Sequence, residues 1–357
     1  MTVLLYRPSL DVRSGAGGLM LVQLRALRAA GVAAEIGCET GALRFFVRTG
    51  RRARRLARAR VRDLRPAPEW TLVDHGLCVP RADLSFVHLV AAEASRSVDR
   101  ADWRPQIEAE RTYFGELRAE APIVANSERT KAALIEHFAL EAERIVVHRP
   151  GHRSDRYSPP RARALRDGAR RALRIGPATP LVGFVTSGDF VTRGLDLFFD
   201  SAARIAAVRP DARFLVVGSK RWPDWAQEHP LVTEGRAMHR PKDGRPERWF
   251  AALDVFLYPA RYDAFGLVVA EAQASGLPIV TSRAVGASEC LAAAYSRWLI
   301  ERPDPAELAQ RALALLADEA ARRELALAGS AHAEANDHRV YARDCVATIL
   351  AQKRRLK

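Results

Sequence analysis

Short apolar runs alternate with longer segments of helical pattern along the whole chain. Residues 3–6, 84–87 and 181–186 are almost entirely apolar runs of strand length. Such runs are typical of strands that are covered on both faces of a parallel sheet. Polar loops and helix-length segments separate them, so the pattern predicts an α/β protein built from strand–helix–strand units.

The chain of 357 residues is longer than a single hydrophobic core usually spans. Domains of about 150 to 180 residues are common, so we expect two of them. The stretch 159–180 is rich in Arg and Pro, and it marks the predicted exit from the first domain. We therefore expect a first domain at residues 1–172, a second at 173–335 and a terminal helix at 336–357.

The composition narrows the class of protein. A hydrophobic content of 48% supports sizeable cores and excludes a disordered chain. The four cysteines have neither metal-ligand spacing nor a disulfide pattern: Cys38, Cys78, Cys290 and Cys345. The sequence shows no apolar run of membrane-spanning length and no signal peptide. These features predict a cytoplasmic protein.

The formal net charge of +14 favours an anionic partner. Nucleic acid, an anionic membrane surface and phosphorylated substrates are the usual candidates. Nucleic acid is not expected, because no helix-turn-helix, zinc or aromatic RNA-binding motif accompanies the charge. The densest basic run is residues 44–65, with seven arginines between positions 51 and 62. Its near-helical apolar spacing leaves two interpretations, a solvated helix face or an amphipathic segment that rests on anionic lipid.

Polar residues follow the predicted strands of the first half. A glycine-rich loop at 14–18, which contains Gly17 and Gly18, lies between the first strand and a helix at 19–30. Its spacing differs from that of a dinucleotide-binding loop. Strands at 70–73 and 84–87 lead directly to His75 and His88. Because loops at the carboxyl ends of parallel strands carry the chemistry of α/β proteins, both histidines are candidates, with a structural role as the common alternative.

The stretch RYDAFGLVVAEAQASGLPIVTS, residues 261–282, is predicted to form a loop, a helix and a strand. Asp263 lies in the loop, Gly266 begins the helix, and Glu271 lies five residues further on. A glycine at a helix start lets an anion approach the free N–H groups. Five helical residues span about 7 Å, roughly the separation of a pyrophosphate from its ribose. The spacing therefore predicts a nucleotide site, with an ordinary surface helix as the alternative.

Asp263-x7-Glu271 resembles the E-x7-E signature of retaining glycosyltransferases of GT-B family 4. The segment 125–159 is similar to the family's N-S-x-x-T…F-x-P passage, and residues 189–196 resemble the branch that includes lipopolysaccharide-core glucosyltransferases. Three positions depart from the family pattern: Asp263 replaces Glu, Arg153 replaces Asp, and Gly188 stands where an Arg is usual.

The resemblance implies a GT-B fold, in which two Rossmann-like α/β domains face each other across a cleft and the terminal helix crosses back to the first domain. It also implies sugar transfer from a nucleoside diphosphate to an acceptor hydroxyl with retained anomeric configuration. On this reading, Glu271 binds the donor ribose, while Arg193 and the helix N-terminus neutralise the diphosphate. The implied catalytic residues are His88, Asp263 and Arg193. The implied substrate-binding residues are Gly17, Gly18, Lys220, Ala264, Phe265, Gly266, Leu267, Val268 and Glu271.

The expected partners are a UDP- or GDP-linked sugar, a glycan or lipid-linked acceptor, and an anionic surface at the inner face of the membrane. No metal ion, cofactor or nucleic acid is expected. The implied role is cell-surface glycan or glycolipid synthesis. One alternative is a GT-B sugar-nucleotide epimerase or phosphorylase. The other is a non-catalytic protein that binds sugar nucleotides, in which Asp263 and Gly188 would be signs of lost activity.

Overall fold

The structure, a computed structural model, describes residues 2–8, 15–38, 70–186, 189–219 and 221–355, together with the backbone of residues 53–55. The chain divides into two compact units, Met1–Pro150 with His338–Lys357, and Gly151–Asp337. The predicted end of the first domain, residue 172, lies later in the chain than the observed boundary between Pro150 and Gly151. The reason is that the segment after residue 158 is a helix, Pro159–Leu173, which packs against Pro246–Ala252 of the second unit.

The first unit contains a parallel sheet of seven strands in the order β3-β2-β1-β4-β5-β6-β7. The order 3-2-1-4-5-6 is that of doubly wound nucleotide-binding folds. Its strands are β1 (Thr2–Tyr6), β2 (Ala34–Cys38), β3 (Ala53–Arg55), β4 (Trp70–Asp74), β5 (Leu84–Val87), β6 (Ile123–Ala125) and β7 (Ile145–Val147). Its first helices are α1 (Gly15–Ala29), α2 (Ala91–Ser95), α3 (Trp103–Glu116) and α4 (Glu128–Phe138).

The second unit repeats this plan with six parallel strands in the order β10-β9-β8-β11-β12-β13. The strands are β8 (Leu181–Val185), β9 (Arg213–Gly218), β10 (Ala237–Pro241), β11 (Val255–Tyr258), β12 (Ile279–Ser282) and β13 (Leu299–Ile300). The helices are α5 (Pro159–Leu173), α6 (Leu195–Val208), α7 (Asp224–Gln227), α8 (Pro230–Thr233), α9 (Pro246–Ala252), α10 (Leu267–Ala274), α11 (Pro305–Ala317) and α12 (Glu319–Ala333). Two parallel α/β sheets were predicted from the sequence, and the structure confirms them.

The last helix, α13 (His338–Arg355), belongs to the first unit and packs against α1. Tyr341, Cys345 and Ile349 are buried on its inner face within one of the hydrophobic clusters of that unit. The buried amide of Gln23 on α1 donates a hydrogen bond of 3.0 Å to the hydroxyl of Tyr341. A buried amide needs such a partner, so this bond fixes the register of the two helices.

Aromatic side chains anchor the second sheet. Phe184, Phe198, Phe214 and Trp249 are among the largest fully buried side chains. Burial of one such side chain contributes about 1.5–3 kcal/mol relative to exposure. This packing holds the strand ends in fixed positions. In each sheet the strand order reverses beside the first strand, between β1 and β4 and between β8 and β11, which is where such folds bind their ligands.

Three local predictions differ from the structure. The predicted loop at Gly17 and Gly18 is already helical, because α1 begins at Gly15 and small residues permit helical backbone angles. The Ala- and Leu-rich pattern of residues 306–329 predicts a single helix, but the structure has two, since Asp318 ends α11 and caps α12 by accepting from the Ala321 N–H at 2.8 Å. Within the basic run 44–65, Ala53–Arg55 form an edge strand on β2 rather than a helix, and the rest of the run lies outside the described residues.

None of the helices in the described parts of the chain combines the length and the apolar character needed to cross a bilayer.

Candidate functional site

The loop that follows β11 holds Asp263 at the carboxyl edge of the second sheet. Its backbone is fixed on both sides, because its N–H donates to the Ala284 carbonyl at 3.1 Å and its carbonyl accepts from the Gly286 N–H at 2.9 Å. The residue is 8% exposed. One carboxylate oxygen accepts from the Tyr258 hydroxyl at 2.8 Å, and the other accepts from the Phe265 N–H at 3.3 Å. Asp263 is therefore an oriented carboxylate.

Arg193 lies just before α6 and pairs with Asp263. Its Nε is 3.2 Å from Oδ2 of Asp263, and one of its Nη atoms donates to the Tyr262 carbonyl. Burial opposes the charge of the guanidinium, but Asp263 and the neighbouring tyrosines outweigh it and raise the pKa of Arg193. The side chain therefore stays cationic at any physiological pH, as a phosphate-binding group must.

Gly194 permits the close approach of the loops that carry Arg193 and Asp263. Its φ is +72°, and a Cβ at this position would lie 2.3 Å from the carbonyl oxygen of Pro259. The N–H of Arg261 also donates to the Thr192 carbonyl at 3.0 Å. A larger residue at position 194 would push the two loops apart, so the Arg-Gly sequence is a packing requirement as well as a chemical one.

The N-terminus of α10 lies directly after this loop. Gly266 is its N-cap with a φ of +87°, and no side chain of the described residues caps the helix there. Ala264 and Phe265 are buried, and Leu267 and Val268 are half-buried. The first N–H groups of a helix lack intrahelical partners and carry the positive end of the helix dipole, so this terminus favours an anion.

Glu271 lies on α10 beside a cluster that the sequence analysis did not anticipate. The Tyr157 hydroxyl donates a hydrogen bond to the Glu271 carboxylate, and Arg156 pairs with Glu247 alongside it. Burial, with a smaller contribution from Glu247, raises the pKa of Glu271 to about 7, while Tyr157 and Arg156 act in the opposite direction. The one available signal was Tyr157 itself, which stands at the Phe of the F-x-P passage and adds a hydroxyl there.

The remaining predicted site residues lie elsewhere. His88 follows β5 in the first unit, where its ring contacts His75. Gly17 and Gly18 lie in the first turn of α1, at the edge of the same sheet. The second unit thus brings together Arg193, Asp263 and the start of α10, with Glu271 further along that helix. Lys220 lies outside the described residues.

Three residues on α2 and α4 of the first unit form a possible ligand set for a metal ion. Glu93, Glu136 and His137 place one potential ligand atom each within 4.8 Å of one another. Arg96 pairs with Glu136 at 2.6 Å, and Arg129 pairs with Glu93 at 2.9 Å. Because arginines already balance these carboxylates, we assign no metal ion to the cluster.

Comparison with known proteins gives a consistent result for the second unit. Residues 179–318 match the sequence model of the family described as Glycosyl transferases group 1. A D-inositol 3-phosphate glycosyltransferase of Corynebacterium aurimucosum is 30% identical over 267 residues, which cover 71% of this chain and 62% of that relative. The chain therefore spans less than two thirds of the relative's length.

Solved structures resemble the chain over nearly its whole length. HepE of Anabaena, solved in complex with UDP, is 18% identical with a TM-score of 0.78, covering 98% of this chain and 100% of that one. WaaG, a glycosyltransferase involved in lipopolysaccharide biosynthesis, is 16% identical with a TM-score of 0.75, covering 97% and 99%. At these identities the likeness shows the fold alone. The chain therefore has the GT-B fold, and its residues 179–318 match the family model described as Glycosyl transferases group 1.

Proposed function

We propose that the chain is a retaining glycosyltransferase that moves a sugar from a nucleoside diphosphate to an acceptor hydroxyl. The observation that carries the proposal is the arrangement at the β8 and β11 ends of the second sheet. There Arg193, which keeps its proton, lies in the loop that packs beside the start of α10, where none of the described side chains caps the helix. Glu271 lies on the same helix at the distance expected for a ribose.

The donor is proposed to lie along α10. Its diphosphate meets the N–H groups after Gly266 and the guanidinium of Arg193, with Lys220 as a further cation. Its ribose hydroxyls donate to the Glu271 carboxylate. UDP is the proposed nucleotide, because HepE was solved in complex with UDP. The transferred sugar would then lie towards Asp263, and His88 is proposed as a further residue that contacts substrate.

Catalysis is proposed to depend on stabilising the departing diphosphate. The bond between the anomeric carbon and the diphosphate oxygen breaks, and negative charge develops on that oxygen. A fixed cation and fixed N–H groups stabilise this charge without reorganisation. The acceptor hydroxyl attacks from the same face and transfers its proton to the leaving phosphate, which accounts for retention. Asp263 orients Arg193 and the sugar in this scheme, since its oxygens are already bonded within the protein.

The acceptor is proposed to be a glycan or a lipid-linked sugar at the cytoplasmic face of the membrane. The basic run 44–65 supplies the charge for peripheral association there. The named relative acts on an inositol phosphate, so a free phosphorylated polyol is the alternative acceptor. An epimerase or phosphorylase would convert the donor without transfer to an acceptor hydroxyl, and a non-catalytic protein would leave it intact. Product analysis therefore separates these activities.

Arg193→Ala tests the proposal most directly. A charge-assisted hydrogen bond contributes about 1.5–3 kcal/mol, so the loss of this one should lower kcat roughly 10- to 150-fold. The matched control is Arg166→Ala, which removes a half-buried arginine that pairs with Asp254 at the amino end of β11, at the opposite edge of the same sheet. Transfer is measured with UDP-glucose and a panel of acceptors. Equal turnover in Arg193→Ala and Arg166→Ala would show that the diphosphate binds elsewhere.

A further inference from the structure

Two histidines form a pair at the carboxyl edge of the first sheet. His75 follows β4, and His88 follows β5. Nδ1 of His75 lies 3.0 Å from Nε2 of His88, and their ring planes are inclined by only 16°. His75 also stacks on Phe86, with ring centroids 4.6 Å apart and planes 11° apart. His75 is 2% exposed, so its ring is held in place, whereas His88 is half-buried.

Both rings of the pair are neutral. Burial is the main reason, since it disfavours the charged form of each. Burial and the nearby Arg7 lower the pKa of His88 to about 3. Burial, His88 and Arg7 together lower the pKa of His75 well below its ordinary value. Two neutral imidazoles that face each other nitrogen to nitrogen share a single proton, so one ring donates and the other accepts.

The surroundings of His75 decide the direction of this hydrogen bond. If His88 donated, His75 would carry its own proton on Nε2, which is buried and has no hydrogen-bond partner among the described residues. If His75 donates from Nδ1, its Nε2 is unprotonated and carries only an unused lone pair. Buried N–H groups without a partner are rarer in proteins than buried acceptors with an unused lone pair. His75 is therefore the donor.

We infer that His75 is a positioning residue that holds His88 in the tautomer with its proton on Nδ1, so that His88 offers a hydrogen-bond donor to an oxygen of the substrate and cannot act as a base. The lone pair on Nε2 of His88 is occupied by His75, and the other ring nitrogen keeps its proton. The Asn126 amide donates to the His88 carbonyl at 3.1 Å and so fixes the backbone of His88 as well. The ligand of this donor is a hydroxyl or phosphate oxygen. This inference rests on the proposed contact between His88 and substrate.

A donor at His88 is compatible with the proposed chemistry. In the retaining scheme the departing phosphate accepts the proton of the acceptor hydroxyl, so the enzyme needs no histidine base. The Nδ1–H of His88 stabilises an oxygen of the substrate without competing for that proton.

The tautomers can be read directly from the full-length protein labelled with ¹⁵N-histidine. Long-range ¹H–¹⁵N correlation at pH 7.5 should show Nδ1–H with an unprotonated Nε2 for both His75 and His88. His148, whose Nε2 lies 2.7 Å from the Thr348 hydroxyl, provides an internal reference. A proton on Nε2 of His88 would overturn the inference, and this measurement does not depend on activity, on the proposed function or on any variant.

Substitutions at His75 add a second measurement. His75→Phe keeps the stacking on Phe86 but removes the donor, so His88 should change to the Nε2–H tautomer and kcat should fall about tenfold. His75→Asn places an amide N–H near the former Nδ1 and should restore the Nδ1–H tautomer of His88 and most of the rate. An unchanged His88 tautomer in His75→Phe would refute positioning by His75. A changed tautomer with full turnover would instead refute the proposed contact of His88 with substrate.

Discussion

At the scale of single residues, the proposed donor site depends on how each charged group is held. Asp263 accepts bonds from Tyr258, Phe265 and Arg193 within the protein. Glu271 is different, because burial raises the pKa of its carboxyl group, which bonds the hydroxyl of Tyr157. The first carboxylate is held in place by these bonds and orients a cation. The second is close to its protonation midpoint at neutral pH, so its partners determine how well it can accept hydrogen bonds from a ribose.

Tyr157→Phe should weaken binding of UDP. The substitution removes one hydroxyl that both orients Glu271 and favours its ionised form, with no change in ring packing. A hydrogen bond of this kind contributes about 0.5–1.5 kcal/mol, so the dissociation constant should rise roughly 2- to 12-fold at pH 7. Isothermal titration calorimetry measures it.

Tyr295→Phe is the matched control for this change. Tyr295 is also buried in the second unit, but its hydroxyl donates to the Leu277 and Leu325 carbonyls at 3.0 and 3.2 Å. Its loss should lower the free energy of unfolding by about 1 kcal/mol and leave UDP affinity intact. Unchanged affinity in Tyr157→Phe would show that the hydroxyl has no part in nucleotide binding.

The affinity for UDP-glucose should depend on pH through Glu271. Its pKa is raised to about 7, so the carboxyl group is neutral on the acid side and ionised above it. Only the ionised form accepts bonds from both ribose hydroxyls, so affinity should rise between pH 6 and pH 8 and be lost as the pH falls. The change approaches roughly tenfold if the neutral form binds weakly. The diphosphate of UDP-glucose keeps its charge over this range, which isolates the protein group.

Glu271→Gln serves as the control for the pH dependence. The amide has the same shape but does not titrate, so its affinity should be lower and flat with pH. A wild-type profile that stays flat, or a Glu271→Gln profile with the same slope as the wild type, would assign the dependence to another group.

At the scale of secondary-structure elements, the site consists of the ends of strands and the start of one helix. Both sheets have the order in which the first strand lies centrally, and in both of them the polar residues follow two adjacent strands. In the second unit these are the loops of Arg193 and Asp263, which Gly194 allows to touch. In the first unit they are the ends of β4 and β5, with His75 and His88. The element that connects the proposed diphosphate and ribose contacts is α10.

Gly266→Ala should damage both stability and nucleotide binding. The φ of +87° disfavours any side chain, and the new Cβ would lie 2.6 Å from Cγ1 of Val285 and 3.3 Å from Oδ2 of Asp263. The backbone penalty alone is about 1–2 kcal/mol. The steric clash adds to it and displaces the start of α10, so UDP affinity should fall at least about tenfold.

Gly235→Ala separates the two effects. Gly235 has a φ of +70°, and a Cβ added there would meet nothing within 4 Å, so this variant carries the backbone penalty without a clash. Denaturant unfolding should show a larger loss for Gly266→Ala than for Gly235→Ala, and only the former should lose affinity. Equal losses of stability with full UDP affinity in both would mean that the start of α10 does not bind the diphosphate.

At the scale of the whole molecule, the chain consists of two complete α/β units and a large excess of positive charge. Each unit has its own parallel sheet and its own buried clusters. The chain enters the second unit near His152 and leaves it near Asp337, and these two segments lie side by side with the His152 N–H donating to the Asn336 carbonyl at 3.2 Å. The net charge of +14 belongs to the complete chain, and its densest part is the run 44–65.

The basic run should bind anionic vesicles reversibly. Each basic side chain near an anionic surface contributes about 1 kcal/mol, and salt screens the attraction. Arg58, Arg60 and Arg62 lie beyond the β3 strand, so changing all three to Gln should leave the sheet intact. The partition coefficient on phosphatidylserine vesicles should then fall roughly 100-fold, as measured by sedimentation at low salt.

The control triple removes the same charge from the second unit. Arg161, Arg163 and Arg171 are exposed on α5, and changing them to Gln should alter vesicle binding far less. Equal binding of wild type to neutral and anionic vesicles would mean that the basic run is an ordinary solvated surface. An equal loss of vesicle binding in the two triple variants would mean the same.

Local patterns were sufficient to predict the fold class and one part of the candidate site. Apolar runs separated by helical segments predicted parallel sheets, since strands covered on both faces must be apolar. Gly266 at a helix start and Glu271 five residues later were also predicted correctly, because cap residues and helix rise are local properties. The exact helix limits at Gly15 and Asp318 were not predicted, because small and polar residues at these positions can adopt either a helical or a loop conformation.

Local sequence is enough to indicate which residues follow strands and which start helices, whereas the packing of the chain brings particular ones into contact. Arg193 and Asp263 become partners because β8 and β11 are neighbours in the sheet, and His75 and His88 because β4 and β5 are. The bond between Tyr157 and Glu271 joins an irregular segment before α5 to a distant helix. Such contacts depend on strand order and burial, which arise from the packing of the whole chain. The same packing sets the protonation of Glu271 and the neutral state of the histidine pair, since burial is the largest cause of the pKa shift of each group.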